Sequence, residues 1–161
     1  MGNLAQHLQD NSDIFLNDIS KHHFVLIVSE WNKEITHKLY EGCFETLLSK
    51  GASKTNVKKV TVPGCFELPL AALYYAEKKN VDAVICLGCL IKGETIHFEI
   101  TAQATANGIM KVGLDTKKPI IFGVLTTQNL LQAIERSGGI HGNKGVEAAF
   151  AAIKMLAIQK P

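Results

Sequence analysis

Cys86-Leu-Gly-Cys89 has the spacing of a redox pair or of half a zinc site. Both uses need the sulfurs on one side. In an extended strand, residues three apart point to opposite faces, so the two cysteines read as separate core thiols, and no second pair exists to complete a metal site. Gly88 and Gly93 bracket four residues where a strand gives way to a helix, the spacing of a nucleotide phosphate loop, but Glu94 and Thr95 stand where that loop requires lysine and then serine or threonine. Nucleoside triphosphate chemistry is therefore not expected. What remains is a helix start with free amides and the Thr95 hydroxyl, which suits a smaller phosphate or an ordinary capped turn.

His97 opens that helix, where the positive end of the dipole disfavours imidazolium and keeps a ring ready to accept a proton; a histidine without a chemical task also fits there. Arg136 is the only arginine of the chain and lies near a helix end, where it can grip two phosphate oxygens or balance the negative end of the helix. Trp31 and Phe66 follow different strands and meet at one rim, where an aromatic plane can stack on a flat heterocycle or join the core. Asn32 and Glu67 beside them suit sugar-like hydroxyls. His22, His23 and His37 have no convergent neighbours and read as surface.

These residues need a scaffold. Short apolar runs at Phe24 to Ser29, Val57 to Val62, Ala83 to Ile91 and Ile120 to Thr126 predict strands. Helical spacing predicts helices over Lys33 to Lys50, Glu67 to Lys79 (with Pro69 in the first turn), His97 to about Leu114, Asn129 to Arg136 and Lys144 to Ile158. The turn SGGIHGNKG separates the last two. Alternating strand and helix implies a parallel sheet between two helical layers, a three-layer α/β sandwich whose ligands bind beyond the carboxyl ends of the strands. Trp31, Asn32, Phe66, Glu67, Glu94, Thr95 and His97 fall at those ends.

A chain of 161 residues, 47% hydrophobic and 20% charged, fits one domain. Residues 1–22 are polar and aperiodic and are expected to form a loosely held arm, with a single domain over 23–161. A net charge of +2 with scattered lysines argues against nucleic acid, and no apolar run reaches membrane-spanning length. The N-terminal residues carry no basic segment followed by an apolar one, so a cytoplasmic address is expected. Cys43, Cys65, Cys86 and Cys89 are expected to be free thiols.

Four ordered blocks, VPGCFELP (62–69), GCLIKGETIHFE (88–99), PIIFGVLTTQNLLQAIERSGG (119–139) and HGNKGVEAA (141–149), resemble the 6,7-dimethyl-8-ribityllumazine synthase family. The likeness spans about Phe24 to Ile158. It implies a flavodoxin-like version of the sandwich, with a central four-stranded parallel sheet and helices on both faces. The implied activity is a transferase step of riboflavin biosynthesis, in which 5-amino-6-ribitylaminouracil condenses with 3,4-dihydroxy-2-butanone 4-phosphate, releasing phosphate and water. It implies neither metal nor organic cofactor.

Carried over residue by residue, the resemblance stacks the uracil on Trp31 with Phe66 nearby. It assigns the ribityl chain to Asn32, Glu67 and the backbone of Gly64 and Cys65, and lines the site further with Leu90, Ile91 and Lys92. Phosphate falls to Glu94, Thr95 and Arg136, and proton transfer to His97. Phe122, Arg136 and Lys144 would reach a neighbouring copy's Trp31, Phe66 and His97, with Glu147 orienting the imidazole. A homo-oligomer follows, a pentamer at least. The short glycine turn resembles that of members whose pentamers close into icosahedral shells, and association with riboflavin synthase belongs to the same implication.

The chain departs from the family's usual Arg-Phe-Asn with Glu30-Trp31-Asn32. The aromatic plane is retained and widened, which also favours tricyclic flavins, while the charge reversed at position 30 faces away from position 31 in extended backbone. Two competing readings are a flavin-binding shell protein without turnover and a monomeric flavodoxin-like electron carrier. Retention of Thr95, His97, Arg136 and Lys144 opposes the first, and the weakly basic charge and altered phosphate loop oppose the second.

Overall fold

Uninterrupted apolar strands cannot face water on either side. In the computed structural model, which describes residues 18–159, the two such runs, Phe24–Ser29 (β1) and Ala83–Ile91 (β3), pair in parallel at the centre of a sheet. Val57–Val62 (β2) flanks β1, and Ile120–Thr127 (β4) flanks β3. The result is one all-parallel, four-stranded sheet of order β2-β1-β3-β4. Ile27 lies opposite Val60 on one side and Cys86 on the other.

The helices are Lys33–Ser49 (α1), Leu68–Ala76 (α2), His97–Thr116 (α3), Leu130–Glu135 (α4) and Lys144–Gln159 (α5). α1 packs on α5 over one face of the sheet and α2 on α3 over the other, which gives the three layers expected from the alternation. Leu26, Ile85 and Leu87 meet Leu39, Leu47, Ile153 and Leu156 in one core. Val25, Ile27 and Val84 meet Leu68, Ala72 and Ile109 in the other. Cys86 and Cys89 fall into opposite cores, as strand alternation requires. Among the described residues, no helix is long and apolar enough to cross a membrane.

The structure departs from the sequence reading at several places. α2 stops at Ala76 rather than Lys79, because turns closed by Lys78 N–H on the Tyr75 carbonyl and Val81 N–H on the Lys78 carbonyl bring Val81 back to the core. A short 3₁₀ turn, Cys65–Glu67, precedes that helix. The glycine turn contains two short antiparallel strands, Ser137–Gly139 (β5) and Gly142–Asn143 (β6). His22, expected at the surface, is buried, since its N–H closes a turn on the Ile19 carbonyl while Ile19 enters the first core. Residues 1–17 of the expected arm lie outside the described residues.

Within one helical layer, α1 and α5 approach each other closely at Gly145. A side chain at Gly145 would collide with the Leu39 carbonyl, a backbone atom that cannot step aside. Gly145→Ala is expected to destabilise the fold by about 1–3 kcal/mol or more through overpacking. Urea denaturation checks this, and an unchanged midpoint would show that the two helices separate without cost.

Candidate active site

The loops after β1 and β2 are tied together. Glu30 N–H bonds the Val62 carbonyl at 2.9 Å, and Trp31 N–H bonds the Pro63 carbonyl at 3.4 Å. Asn32 adopts left-handed backbone (φ 57°), a conformation its short polar side chain tolerates. Its carbonyl accepts the N–H groups of Ile35 and Thr36 to start α1, while its side-chain Nδ2 donates to the Cys89 carbonyl at 2.9 Å. One residue thus ties the β1–α1 connection to the end of β3. Glu67 Oε2 accepts the Gly64 N–H at 2.9 Å, and a Cβ at Gly64 would lie 3.1 Å from that oxygen, so the glycine leaves room for the carboxylate.

Trp31 and Phe66 remain 74% and 62% exposed. They edge a cleft of about 610 Å³ that Asn32, Gly64, Cys65 and Glu67 line from the loops, Cys89, Leu90 and Ile91 from β3, and His97, Ile100 and Thr101 from α3. His97 Nε2 lies 3.3 Å from Thr101 Oγ1, and the His97 N–H points to Thr95 Oγ1 at 3.4 Å. Lys92 is held outside the cleft lining. Its N–H bonds the Thr127 carbonyl at 2.8 Å and its Nζ pairs with Glu99 at 3.0 Å, which holds the Glu99 carboxyl below its ordinary range. Among the described residues, the N–H groups of 93–95 have no acceptor, which leaves the loop before α3 with free donors.

A second cleft, of about 530 Å³, opens beside β4 and gathers Phe122, Thr127, Gln132, Glu135, Arg136, His141 and Lys144. α4 is short and firmly capped, with Asn129 Oδ1 accepting Gln132 N–H at 3.0 Å and Gln132 Oε1 accepting Gln128 N–H at 2.9 Å. Arg136 follows as its C-terminal cap, with its guanidinium exposed. Asn143 joins the hairpin to the rest. It donates to the Lys38 and Ser137 carbonyls and accepts Gly145 N–H at 2.8 Å, so it fixes the start of α5 and with it Lys144. Lys144 N–H bonds the Arg136 carbonyl at 2.9 Å, and its Nζ pairs with Glu147 at 2.9 Å. The two clefts share no lining residue.

Residues 21–160 match the family profile described as 6,7-dimethyl-8-ribityllumazine synthase. The chain belongs to that family. A protein of that name from Cytophaga hutchinsonii is 56% identical over 140 residues, 87% of this chain and 88% of its own. One from Porphyromonas gingivalis is 48% identical over 84% of each chain, and one from Parabacteroides distasonis is 42% identical over 97% of this chain and 98% of its own.

The blocks that carried the resemblance cover the ends of β2 and β3, the whole of β4 and α4, and the start of α5. The structure brings Trp31, Asn32, Gly64, Cys65, Phe66, Glu67, Leu90, Ile91 and His97 to the first cleft, and Phe122, Arg136 and Lys144 to the second. Lys92, Glu94, Thr95 and Glu147 line neither. Sequence reasoning missed Cys89, Ile100 and Thr101 in the first cleft and Thr127, Gln132, Glu135 and His141 in the second. Thr101 had a signal, because a residue four after His97 on a helix shares its face. Cys89 had none, since at the end of a buried strand it reads only as core.

Burial pushes the thiols up: Cys89 to about 12, Cys43 and Cys86 higher still, and Cys65 upward despite the Ser29 hydroxyl 3.8 Å from its sulfur. Below the ordinary thiol value of about 8.5, both folded and unfolded chains hold these protons. Above it, the unfolded chain releases them while the native one retains them, so stability falls with rising pH, by up to about 1.4 kcal/mol per pH unit for each thiol. Under reducing conditions the urea midpoint is expected to drop between pH 8 and 10, and less steeply in Cys43→Ala. An equal slope in the variant would remove Cys43 from this linkage.

Proposed function

We propose that this chain makes 6,7-dimethyl-8-ribityllumazine from 5-amino-6-ribitylaminouracil and 3,4-dihydroxy-2-butanone 4-phosphate, in riboflavin biosynthesis, at a site shared between two copies of a single-domain protomer spanning residues 23–161. The observation that carries this reading is the separation of the two clefts. Exposed aromatic planes and a histidine stand in one, the cations in the other, and a partner copy's second cleft set against the first would complete the pocket.

Trp31 and Phe66 receive the uracil, and Glu67 with the Gly64 and Cys65 backbone receives the ribityl chain. Asn32, whose Nδ2 is engaged by Cys89, offers its side-chain oxygen. The free N–H groups of 93–95, the Thr95 hydroxyl and a partner's Arg136 take the phosphate. Lys144 from the partner lies toward a uracil carbonyl, its charge balanced by Glu147.

The primary amine attacks the ketone, and loss of water gives an imine. Proton loss from the neighbouring carbon then expels phosphate and leaves an enol, which returns to a ketone. The ribitylamino nitrogen attacks that carbonyl, and loss of a second water closes the ring. Each step moves a proton, and His97 carries it. Juxtaposing the two substrates supplies much of the acceleration, so no single side chain is indispensable.

His97→Ala is expected to lower kcat about a hundredfold without abolishing turnover. Arg136→Ala is expected to raise KM for the butanone phosphate by about one to two orders of magnitude, the size of a charge-assisted hydrogen-bond pair. Lumazine fluorescence after mixing both substrates reads each. Unfolding and refolding the two variants together should restore up to about a quarter of wild-type activity, because that share of interfaces pairs an intact His97 with an intact Arg136. No recovery in assembled mixtures would put the whole site inside one protomer.

A further inference from the structure

We propose that Thr101 is a positioning residue for His97, holding the imidazole by Nε2 and so making Nδ1 the nitrogen that exchanges protons with substrate. The proposal rests on the reading that His97 moves protons. Thr101 stands one turn after His97 on α3, with Oγ1 3.3 Å from Nε2. It is only 6% exposed, yet it lines the cleft with the aromatic rim. Threonines inside helices often spend the hydroxyl on the carbonyl four residues back. Thr46 does so to Gly42 and Thr116 to Val112, both at 2.7 Å. Thr101 does not: among the described residues its hydroxyl has the His97 ring as its one partner.

A hydroxyl is both donor and acceptor. With its oxygen accepting from Nε2–H, Thr101 leaves Nδ1 as the bare nitrogen of the neutral ring and keeps the same contact in the imidazolium, so one ring orientation survives a full proton cycle. His97 itself is exposed, and its N–H contact with Thr95 acts on the backbone without orienting the ring. The partner of one imidazole nitrogen sets what the other can do. Here the buried threonine is that partner, in a cleft where a ring turned the wrong way would present the occupied nitrogen to substrate.

Thr101→Val removes the hydroxyl while nearly keeping the shape, and Thr101→Ser keeps the hydroxyl. In protein labelled with ¹⁵N-histidine, long-range ¹H–¹⁵N spectra report the tautomer of His97, with His97→Asn identifying its signals. Wild type and Thr101→Ser should share one dominant tautomer, and Thr101→Val should show a mixture. In Thr101→Val, kcat should fall about fivefold, the worth of one neutral hydrogen bond, with KM within about twofold of wild type and kcat recovered in Thr101→Ser. An unchanged tautomer pattern in Thr101→Val, or a loss of kcat that serine does not recover, overturns the proposal. Unimpaired kcat in His97→Asn instead overturns the shuttle reading itself, independently of the spectra.

Discussion

A strand buried on both faces has no place for polar side chains along its length, and β1 and β3 are such strands. The polar groups of the aromatic cleft are thereby displaced to the ends, and parallel pairing puts all four carboxyl ends on one edge. The loops leaving that edge are anchored by backbone and amide hydrogen bonds rather than by packing. Asn32 shows the device. Its left-handed backbone turns the chain into α1, its carbonyl starts that helix, and its side chain reaches the end of β3. Trp31 can therefore stand exposed without drifting, because the residue after it is fixed from three sides.

The second cleft is built by a different means. The β5–β6 hairpin has almost no core of its own, and glycines at positive φ, Gly138 and Gly142, let it turn tightly. Asn143 holds it against α1, and the close approach of α1 to α5 leaves no room for a side chain at Gly145. Arg136 and Lys144 are thus set by backbone geometry at two helix termini, one ending α4 and one beginning α5. Lys144 sits at the positive end of a dipole, where a cation is disfavoured, and its pairing with Glu147 in the same first turn offsets that cost.

Where the sequence was legible, a physical periodicity made it so. The runs FVLIVS and AVICLGCLI are apolar without interruption and bounded by polar residues, so their strands were readable to the residue. α2 was overextended because Glu77, Lys78 and Lys79 continue a helical pattern, and only the tertiary demand to bury Val81 ends it earlier. β5 and β6, at three and two residues, are too short for any period to register. His22 looked like surface because histidine usually is, and the turn that buries it depends on Ile19, whose partners are distant in sequence. The rim residues were found by a rule about sheets, whereas assigning them to two separate clefts required coordinates, since lying on one edge does not mean facing one space.

That separation bears on why the protomer leaves so much apolar surface uncovered. Ile96, Ile100, Leu114 and Ile140 are exposed together with Trp31 and Phe66, and a lone soluble domain rarely tolerates that much. On the proposed reading, one physical term serves two ends. Covering these side chains with a second copy removes them from water, which drives association, and the same approach carries Arg136 and Lys144 to the aromatic cleft. Assembly and site completion are then a single event, and a substitution that weakens the contact lowers activity even where it touches no substrate. The low-dielectric pocket formed in this way also strengthens the phosphate contacts relative to an open groove, because water no longer competes for the same donors.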